Sequence, residues 1–185
     1  MRRLHRLLLA AAVLSLCVGC DRLTKDIAVE HLKSVPTRSF LADVFRLTYA
    51  ENPGAFLGLG GRMHGTAQFW VLTVGVGVLL LAMLVLLFVS PKLNAVATAG
   101  LAMLVGGGLS NWVDRVVNDG RVVDFMNLGI GSLRSGIFNV ADLAIMGGAA
   151  LLVLSGIKRP PERATSAQPP APPSPPASPP PTEVS

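Results

Sequence analysis

The chain has 185 residues, of which 51% are hydrophobic and only 15% are charged. A water-soluble domain of this size needs more polar surface, so the composition predicts a protein that lies in lipid. The net charge of +5 comes partly from basic clusters near both chain ends, which suit anionic lipid headgroups, and no basic stripe with interleaved aromatic residues points to nucleic-acid binding.

The first apolar segment, residues 7–20, follows a basic start and is short for a membrane span. A cleaved secretory signal has the same pattern, so hydropathy alone leaves both interpretations open. If the Arg6 side chain reaches one interface while Asp21 and Arg22 lie at the other, residues 4–24 attain spanning length.

The cysteines and histidines do not have the spacing of a metal or redox site. Cys17 and Cys20 form a C-x-x-C, but it lies in an apolar run without a βαβ context or a second pair of ligands. His5, His31 and His64 lack the H-E-x-x-H spacing of a zinc hydrolase. We therefore expect no metal and no other cofactor.

Three later segments have the length of membrane spans. Residues 67–89 and 93–113 contain no charged residue, and each crosses about 30 Å of hydrocarbon as a helix. Residues 136–157 form a third such run, interrupted only by Asn139 and Asp142 near its start. If the first segment is also a span, the sequence predicts an all-α membrane protein with four transmembrane helices. A carboxyl group inside a span calls for a functional explanation.

The connections on one side of these spans contain short strand patterns. Residues 45–49 alternate like a half-buried strand, and the valine pairs at 116–117 and 122–123 flank Asn-Asp-Gly at 118–120, which predicts a hairpin. We expect small β structure outside the membrane. In the second hairpin arm the strand pleat would orient Asp124.

The basic residues that immediately flank the spans predict the orientation. The Arg-rich start, Lys92 and the Lys158–Arg159 pair lie beside span ends, so both termini are predicted to be cytoplasmic, although several other cations fall in the connections assigned outside.

Residues 1–158 would form the membrane domain. Residues 159–185, which hold most of the 14 prolines, would be a disordered cytoplasmic tail of unknown role.

Several polar residues cluster near the outer ends of the predicted spans. Asp21 and Lys25 are four apart, so they lie on one side of a helix, and an ion pair and a substrate-proximal role remain equally open. Asn111, Asp114 and Arg115 share a helical face at the end of the third predicted span, where a scaffolding role is favoured.

Two acids can meet at this end of the bundle. Asn139 and Asp142 are three apart, so both point into the bundle if either does, and the chain between Asp124 and Asp142 is long enough to bring the two carboxyl groups together. Two carboxyl groups in a partly dehydrated site share a proton. One then accepts a proton from water while the other donates to a scissile carbonyl, with the amides of Asn52 and Asn139 orienting the pair or holding the oxyanion.

Other interpretations remain for the same residues. Taken singly, Asp124 is explained as a solvated loop carboxylate and Asp142 as a helix N-terminal acid. A lipoprotein or membrane scaffold would use residues 16–20 as its own processing box, although Cys17 fits that box poorly. A proton-coupled transporter needs acids near mid-bilayer, whereas Asp142 lies near the start of its span.

Five motifs bring these residues together in a pattern that resembles the bacterial lipoprotein signal peptidases, also called signal peptidase II. They follow the family's order and spacing over about three-quarters of the chain. The motifs are Asp21-Arg-Leu-Thr-Lys25, Glu51-Asn-Pro-Gly-Ala-Phe56, Gly106-Gly-Gly-Leu-Ser-Asn-Trp-Val-Asp-Arg115, Val122-Val-Asp-Phe125 and Phe138-Asn-Val-Ala-Asp-Leu-Ala-Ile145. One departure is the segment after Asn52, which is one residue shorter than the family pattern, so we expect an altered register there.

The resemblance implies an aspartyl endopeptidase that removes the signal peptide from diacylglyceryl-modified prolipoproteins, cutting on the N-terminal side of the lipidated cysteine. It also implies a retained first span, and a small β cradle and a short helix on the outer face of the bacterial inner membrane. Membrane lipids and the cyclic peptide globomycin are implied as further partners, nucleic acid is not, and we expect a monomer.

The resemblance also assigns roles to individual residues. Asp124 and Asp142 would be the catalytic dyad. A second group would line the substrate or inhibitor site, and a third would give polar support. The second group is Asn52, Gly54, Asn111, Arg115, Asn139 and Ala141; the third is Asp21, Lys25 and Asp114.

Overall fold

The structure is a computed structural model that describes residues 3–54 and 65–157. Its described part contains five α-helices, one π-helical segment and four strands. In chain order these are α1 (Arg3–Leu32), β1 (Arg38–Phe40), β2 (Phe45–Asn52), α2 (Gly65–Gln68), the π-helical segment (Phe69–Gly75), α3 (Val76–Val89), α4 (Ala95–Val117), β3 (Val122–Ile130), β4 (Leu133–Arg134) and α5 (Val140–Ile157).

Three of the helical stretches are long and apolar enough to cross a membrane: Arg3–Leu32, Thr66–Val89 and Ala95–Val117. The apolar helix Val140–Gly156 is shorter. The chain is thus a mostly helical, multi-pass membrane protein, and a count of four spans stays a prediction. The expected short helix after Asn52 and the proline-rich tail lie outside the described residues.

Two helices differ in extent from the predicted spans. The first helix continues past residue 24 to Leu32, and its last turns pack beneath the sheet. The last helix begins at Val140 rather than at residue 136, because Phe138 forms a β-bridge with Met126 instead of joining the helix.

Helix α4 lies at the centre of the bundle and packs against α1, α3 and α5. The side chain of Asn94 accepts a hydrogen bond from the backbone N–H of Ala97 at 2.8 Å, which caps the start of the helix. At its other end α4 runs through Val117, which contradicts the predicted hairpin. Gly120, with a φ of +83°, turns the chain there while its N–H donates to the carbonyl of Arg115 at 2.8 Å.

The contact between α4 and α5 depends on small residues. A Cβ on Gly107 would collide with the carbonyl oxygen of Ala141, and one on Gly148 would lie 2.5 Å from the carbonyl oxygen of Gly100. Helices in lipid associate through close packing rather than through a hydrophobic driving force. The glycines therefore let the two backbones touch, and this contact fixes where α5 begins.

The four strands form one antiparallel sheet in the order β1-β2-β3-β4. The predicted strand at residues 45–49 is confirmed as part of β2, and a bulge between Leu47 and Ala50 shifts its register against β3. The sheet sits where α1 ends, with Phe125 packed against Ala28 and Leu32. We call this end of the bundle the sheet end.

The opposite end of the bundle is marked by Arg6. This buried side chain donates to the backbone carbonyls of Phe88 and Ser90 at the end of α3. Cations at a helix C-terminus satisfy free carbonyls and the helix dipole. Arg6 therefore joins α1 to α3.

The close contact at Gly107 generates a stability prediction. Gly107→Ala is expected to push α5 away from α4, which costs about 1–3 kcal/mol as for other overpacked sites. Gly156→Ala is the matched control, because its Cβ would meet nothing within 4 Å on the same helix α5. Thermal unfolding in detergent should show a lower Tm for Gly107→Ala alone; equal Tm values for the two variants would contradict the packing argument.

Candidate active site

Asp124 lies in β3 and is almost fully buried, with 1% of its surface exposed. One carboxylate oxygen accepts a hydrogen bond from Nδ2 of Asn52 at 2.9 Å, and the other accepts one from Nδ2 of Asn139 at 2.7 Å. Asn52 lies in the neighbouring strand β2 and pairs with Val122. The sheet register therefore brings the Asn52 amide to the Asp124 carboxyl group.

Asp142 lies in the first turn of α5 and is also buried. Its carboxylate accepts hydrogen bonds from Nδ2 of Asn111 at 2.9 Å and from the backbone N–H of Asn139 at 3.2 Å. The Asn139 side-chain oxygen in turn accepts from the backbone N–H of Asp142 at 2.9 Å. This reciprocal arrangement caps the helix and holds the carboxyl group near its positive end.

Asn139 connects the two acids. Its backbone N–H donates to Asp142, while its side-chain Nδ2 donates to Asp124 and also lies 3.0 Å from Oδ1 of Asn111. Amide side chains have two donors and one acceptor oxygen, so the backbone and side chain of one residue satisfy both carboxyl groups. The two acids and three asparagines form one hydrogen-bonded cluster.

Burial changes the acidity of Asp124. The loss of water around the carboxyl group raises the pKa of Asp124 from its ordinary 3.8 to about 6. The hydrogen bonds from Asn52 and Asn139 oppose this rise, while the negative charge of Asp142 adds to it. A carboxyl group with this pKa exchanges protons near neutral pH.

A buried ion network lies behind the cluster. The ammonium group of Lys25 is 2.6 Å from Asp21 and 2.9 Å from Asp114, and it donates to Oδ1 of Asn111 at 2.8 Å. All three charged side chains are at most 2% exposed. A buried cation between two buried acids compensates their charge, and loss of one partner leaves an unpaired charge at high cost.

The two acids of this network hold the backbone of other elements. Asp21 accepts from the hydroxyl of Ser110 at 2.6 Å and from the backbone N–H of Ala141 at 2.7 Å, so it caps α5 from helix α1. Asp114 accepts from Arg22 and from the backbone N–H of Val123, the residue before Asp124. The network therefore places the start of α5 and the start of β3 relative to α4.

Arg115 closes the site on the side of the loop after β2. Its guanidinium donates to the carbonyl of Gly120 at 2.9 Å and to the carbonyl of Gly54. The N–H of Gly54 donates to the side-chain oxygen of Asn52 at 2.9 Å. Arg115 thus orients Asn52 through the loop while it brings a positive charge near the acids.

The structure brings most of the predicted site residues together. The acids and asparagines contact directly, and the predicted pair of Asp21 and Lys25 is confirmed as an ion pair. Ala141 is fully buried, with its N–H on Asp21 and its carbonyl facing Gly107.

Sequence reasoning missed Ser110 and Arg22. Ser110 is four residues before Asp114, so helical spacing places it on the same face, where it donates to Asp21. Arg22 lies inside the first motif and contacts Asp114. Within residues 3–54 and 65–157, no group of three His, Cys, Asp or Glu side chains is placed to hold a metal ion.

Comparison with known proteins gives matches over most of the chain. The family model described as "Signal peptidase (SPase) II" matches residues 13–158. A lipoprotein signal peptidase of Caldanaerobacter subterraneus subsp. tengcongensis is 35% identical over 144 residues, which cover 78% of this chain and 92% of the relative. One from Photorhabdus laumondii is 33% identical over 165 residues, which cover 86% and 92%. A bacterial membrane enzyme solved by the in meso method at 2.3 Å resolution has a TM-score of 0.68 at 25% identity, covering 80% of this chain and 87% of that one.

The raised pKa of Asp124 generates a prediction about stability. Because its pKa is about 6 in the folded chain and 3.8 ordinarily, the stability due to its protonated form is present below about pH 4 and lost as the pH rises through 6. Asp124→Asn removes this loss. The Tm of the variant minus that of the wild type should therefore rise by about 5 °C between pH 4.5 and pH 7.

Asp43→Asn is the matched control for this measurement. Hydrogen bonds from Arg46 and Ser39 hold the pKa of Asp43 well below its usual range. The stability that the ionised Asp43 carboxylate gives to the folded chain is therefore lost only at pH values below about 4. The Tm difference between Asp43→Asn and the wild type should stay constant from pH 4.5 to pH 7. A constant difference for Asp124→Asn as well would contradict the raised pKa.

Proposed function

The chain belongs to the signal peptidase II family, whose members remove signal peptides from prolipoproteins, and we propose that it does so as an aspartyl endopeptidase with Asp124 and Asp142 as the catalytic dyad. The single observation that carries this proposal is the buried cluster in which Asn139 donates a hydrogen bond to both carboxyl groups. Two acids joined through the backbone and the side chain of one asparagine are held in fixed relation, which is what shared proton chemistry needs.

The dyad would act on a water molecule between its two carboxyl groups. The ionised acid removes a proton from water as the oxygen attacks the scissile carbonyl carbon, and the protonated acid donates to the carbonyl oxygen. As the tetrahedral intermediate collapses, the carbon–nitrogen bond breaks and the leaving amine takes the proton that came from water. The acid that had protonated the carbonyl oxygen takes a proton back from a hydroxyl of the intermediate, so the carbonyl re-forms and the two acids return to their starting protonation. The pKa of about 6 for Asp124 supports this scheme, because one proton shared by the pair is retained close to neutral pH.

The neighbouring polar residues would prepare the dyad. Asn111 and Asn139 orient the carboxyl groups, and Asn52 donates to the ionised form of Asp124. Arg115 and Gly54 lie at the edge of the cluster, where the guanidinium and the loop backbone would align the substrate and balance developing negative charge. Ala141 would contribute through the position of its backbone at the start of α5.

The position of the dyad supports a lipidated substrate. Asp142 lies at the start of α5 and Asp124 in the sheet next to the end of α1, so the acids are placed where the apolar helices meet the polar region. Acyl chains of a diacylglyceryl-modified cysteine would stay in the bilayer while the preceding peptide bond reaches the dyad. We propose that this end of the bundle lies at the outer face of the bacterial inner membrane, with both termini cytoplasmic and the chain monomeric. We also expect globomycin to compete with the substrate for the site at the two acids.

The continuous first helix supports its retention in the mature enzyme. Helix α1 runs from Arg3 to Leu32 without a break at Cys20, and it is joined to α3 by Arg6 and to α4 by Lys25. Cleavage before Cys20 would separate these two contacts. A role as a processed lipoprotein would therefore discard part of the helix packing that the fold uses.

The proposed dyad is tested by cleavage of a lipidated precursor in detergent. Asp124→Asn and Asp142→Asn are each expected to lower the rate by at least about 10³-fold, because each removes one partner of the proton transfer. Asp26→Asn, which removes an exposed acid of α1, should retain wild-type activity. The same precursor without the lipid should resist cleavage, and substantial activity of either dyad variant would overturn the proposal.

The hydrogen bond from Asn52 predicts the direction of a shift in the pH profile. This bond lowers the pKa of Asp124, so Asn52→Ala should raise that pKa further and displace the limb of the pH–rate profile set by Asp124 to higher pH. Asn118→Ala, at an exposed position after α4, is the control and should leave the profile in place. A displacement of the Asn52→Ala profile to lower pH would refute the assigned role of this amide.

A further inference from the structure

The far end of the sheet has one apolar face. Phe40 pairs with Phe45, Phe45 pairs with Leu128, and Ile130 pairs with Leu133. Directly paired residues lie on the same face, and Ile130 follows Leu128 by two positions, so all five side chains share one face. We call these five residues the apolar sheet face.

The apolar sheet face is exposed although its members are large hydrophobic residues. Phe40 and Leu128 are each 45% exposed, Ile130 is 77% exposed and Leu133 is 83% exposed. Scattered exposed hydrophobic residues are ordinary, but a contiguous row of them marks a surface that contacts a partner or a membrane. The described part of the chain leaves this row open.

The opposite face of the same strands is polar and its groups are hydrogen-bonded. Asp43 accepts from the hydroxyl of Ser39 at 2.6 Å, from Nε of Arg46 at 2.7 Å and from Arg134 at 3.5 Å. Nε of Arg134 also donates to the side-chain oxygen of Asn127 at 2.6 Å. The sheet end is therefore amphipathic: its polar side is linked by hydrogen bonds among its own side chains, and its apolar side is left uncovered by residues 3–54 and 65–157.

The apolar sheet face continues a surface that packs at the membrane interface. Leu47 follows Phe45 by two positions on the same face, and it packs in the cluster of Ala28 and Leu32 at the end of α1. Ile27, beside this contact, is 21 residues beyond Arg6 along a continuous helix, which corresponds to about 32 Å. This length equals the hydrocarbon thickness of a bilayer, about 30 Å, so the face meets α1 at the level of the lipid headgroups.

We propose that the apolar sheet face inserts into the lipid leaflet at the sheet end of the bundle and anchors the sheet to the membrane. The occupant is phospholipid, because the face begins at the lipid interface beside α1, where Ile27 is 48% exposed and Leu23 is 63% exposed. Burial of apolar surface in lipid is favourable by about 25 cal/mol per Å². Arg38, paired with Leu47 and exposed, lies at the rim of the face, where lipid phosphates are available.

The anchor has a consequence for the acids. Asp124 is in the same strand, β3, as Leu128 and Ile130. Insertion of the far end of β3 fixes the height and tilt of the strand relative to the bilayer. The anchor therefore sets the depth at which the Asp124 carboxyl group is presented to a membrane-bound substrate, whatever the chemistry of that substrate.

The experiment measures the depth of a fluorescent probe in vesicles. Leu133→Cys, made in the full chain with Cys17→Ser and Cys20→Ser, is labelled with an environment-sensitive fluorophore and reconstituted in phosphatidylethanolamine–phosphatidylglycerol vesicles that carry a lipid-bound quencher just below the headgroups. Ser39→Cys, in the same part of the sheet but on its polar face, is the matched control. Quenching by the lipid is expected to be several-fold stronger at position 133 than at position 39.

If a second copy of the chain or the substrate covered this face instead of lipid, the quenching pattern would differ. Equal quenching at the two positions would overturn the proposal. Quenching at position 133 that appears only at a high protein-to-lipid ratio would indicate a second copy of the chain, and protection of the probe only on addition of a precursor would indicate substrate; either result also overturns it. Ile130→Asp should lower the quenching at position 133 several-fold while Ser39→Asp leaves it unchanged, and quenching insensitive to Ile130→Asp would count against insertion.

Discussion

The rest of the site depends on the buried ion pairs that the ammonium group of Lys25 makes. It lies between the carboxylates of Asp21 and Asp114 and also donates to Asn111, all within the buried interior. Three charges are expensive to bury, and their mutual contacts compensate only if every group keeps its partner. Asp21 therefore meets the N–H of Ala141 and Asp114 meets the N–H of Val123, so the network that neutralises Lys25 also fixes the backbone of α5 and β3.

This arrangement separates the positioning of the acids from their acidity. The Lys25 network places the elements that carry the dyad, but the immediate neighbours of Asp124 and Asp142 are neutral amides. A direct ion pair would lower the pKa of a carboxyl group and keep it ionised. Asparagine donors instead hold each carboxyl group in place while burial keeps the pKa of Asp124 at about 6. The proposed dyad is thus held by hydrogen bonds while Asp124 is still able to exchange a proton.

The sequence predicted the parts of this site that local spacing controls. The i, i+4 spacing of Asp21 and Lys25 predicted that they lie on one side of a helix, with an ion pair as one of two open roles, and alternation predicted the strand at Phe45. The extent of the first helix was not predicted, because the turns up to Leu32 are held by packing beneath a sheet rather than by lipid.

The predicted hairpin around residues 118–120 does not form, again because contacts outside the local sequence determine the structure. The valines before Asn118 favour a strand, but α4 continues through them and ends only where Gly120 reverses the chain. Strand β3 pairs instead with β2, a partner distant in sequence that no local pattern identifies. The end of α4 and the pairing of β3 thus depend on contacts between residues distant in sequence, which local spacing does not predict.

The two acids come from different kinds of structure, and the junction between these elements holds them together. Asp124 belongs to a strand and Asp142 to a helix, so any movement of the sheet against the bundle would separate them. Two contacts made by the chain between these elements oppose such movement. Phe138 forms a bridge with Met126 of β3, and the next residue, Asn139, caps α5 and donates to both carboxyl groups. Because bridge and cap are consecutive residues, the bridge from Phe138 to β3 also determines where the helix begins, and this junction acts together with the Lys25 network to fix the two acids relative to each other.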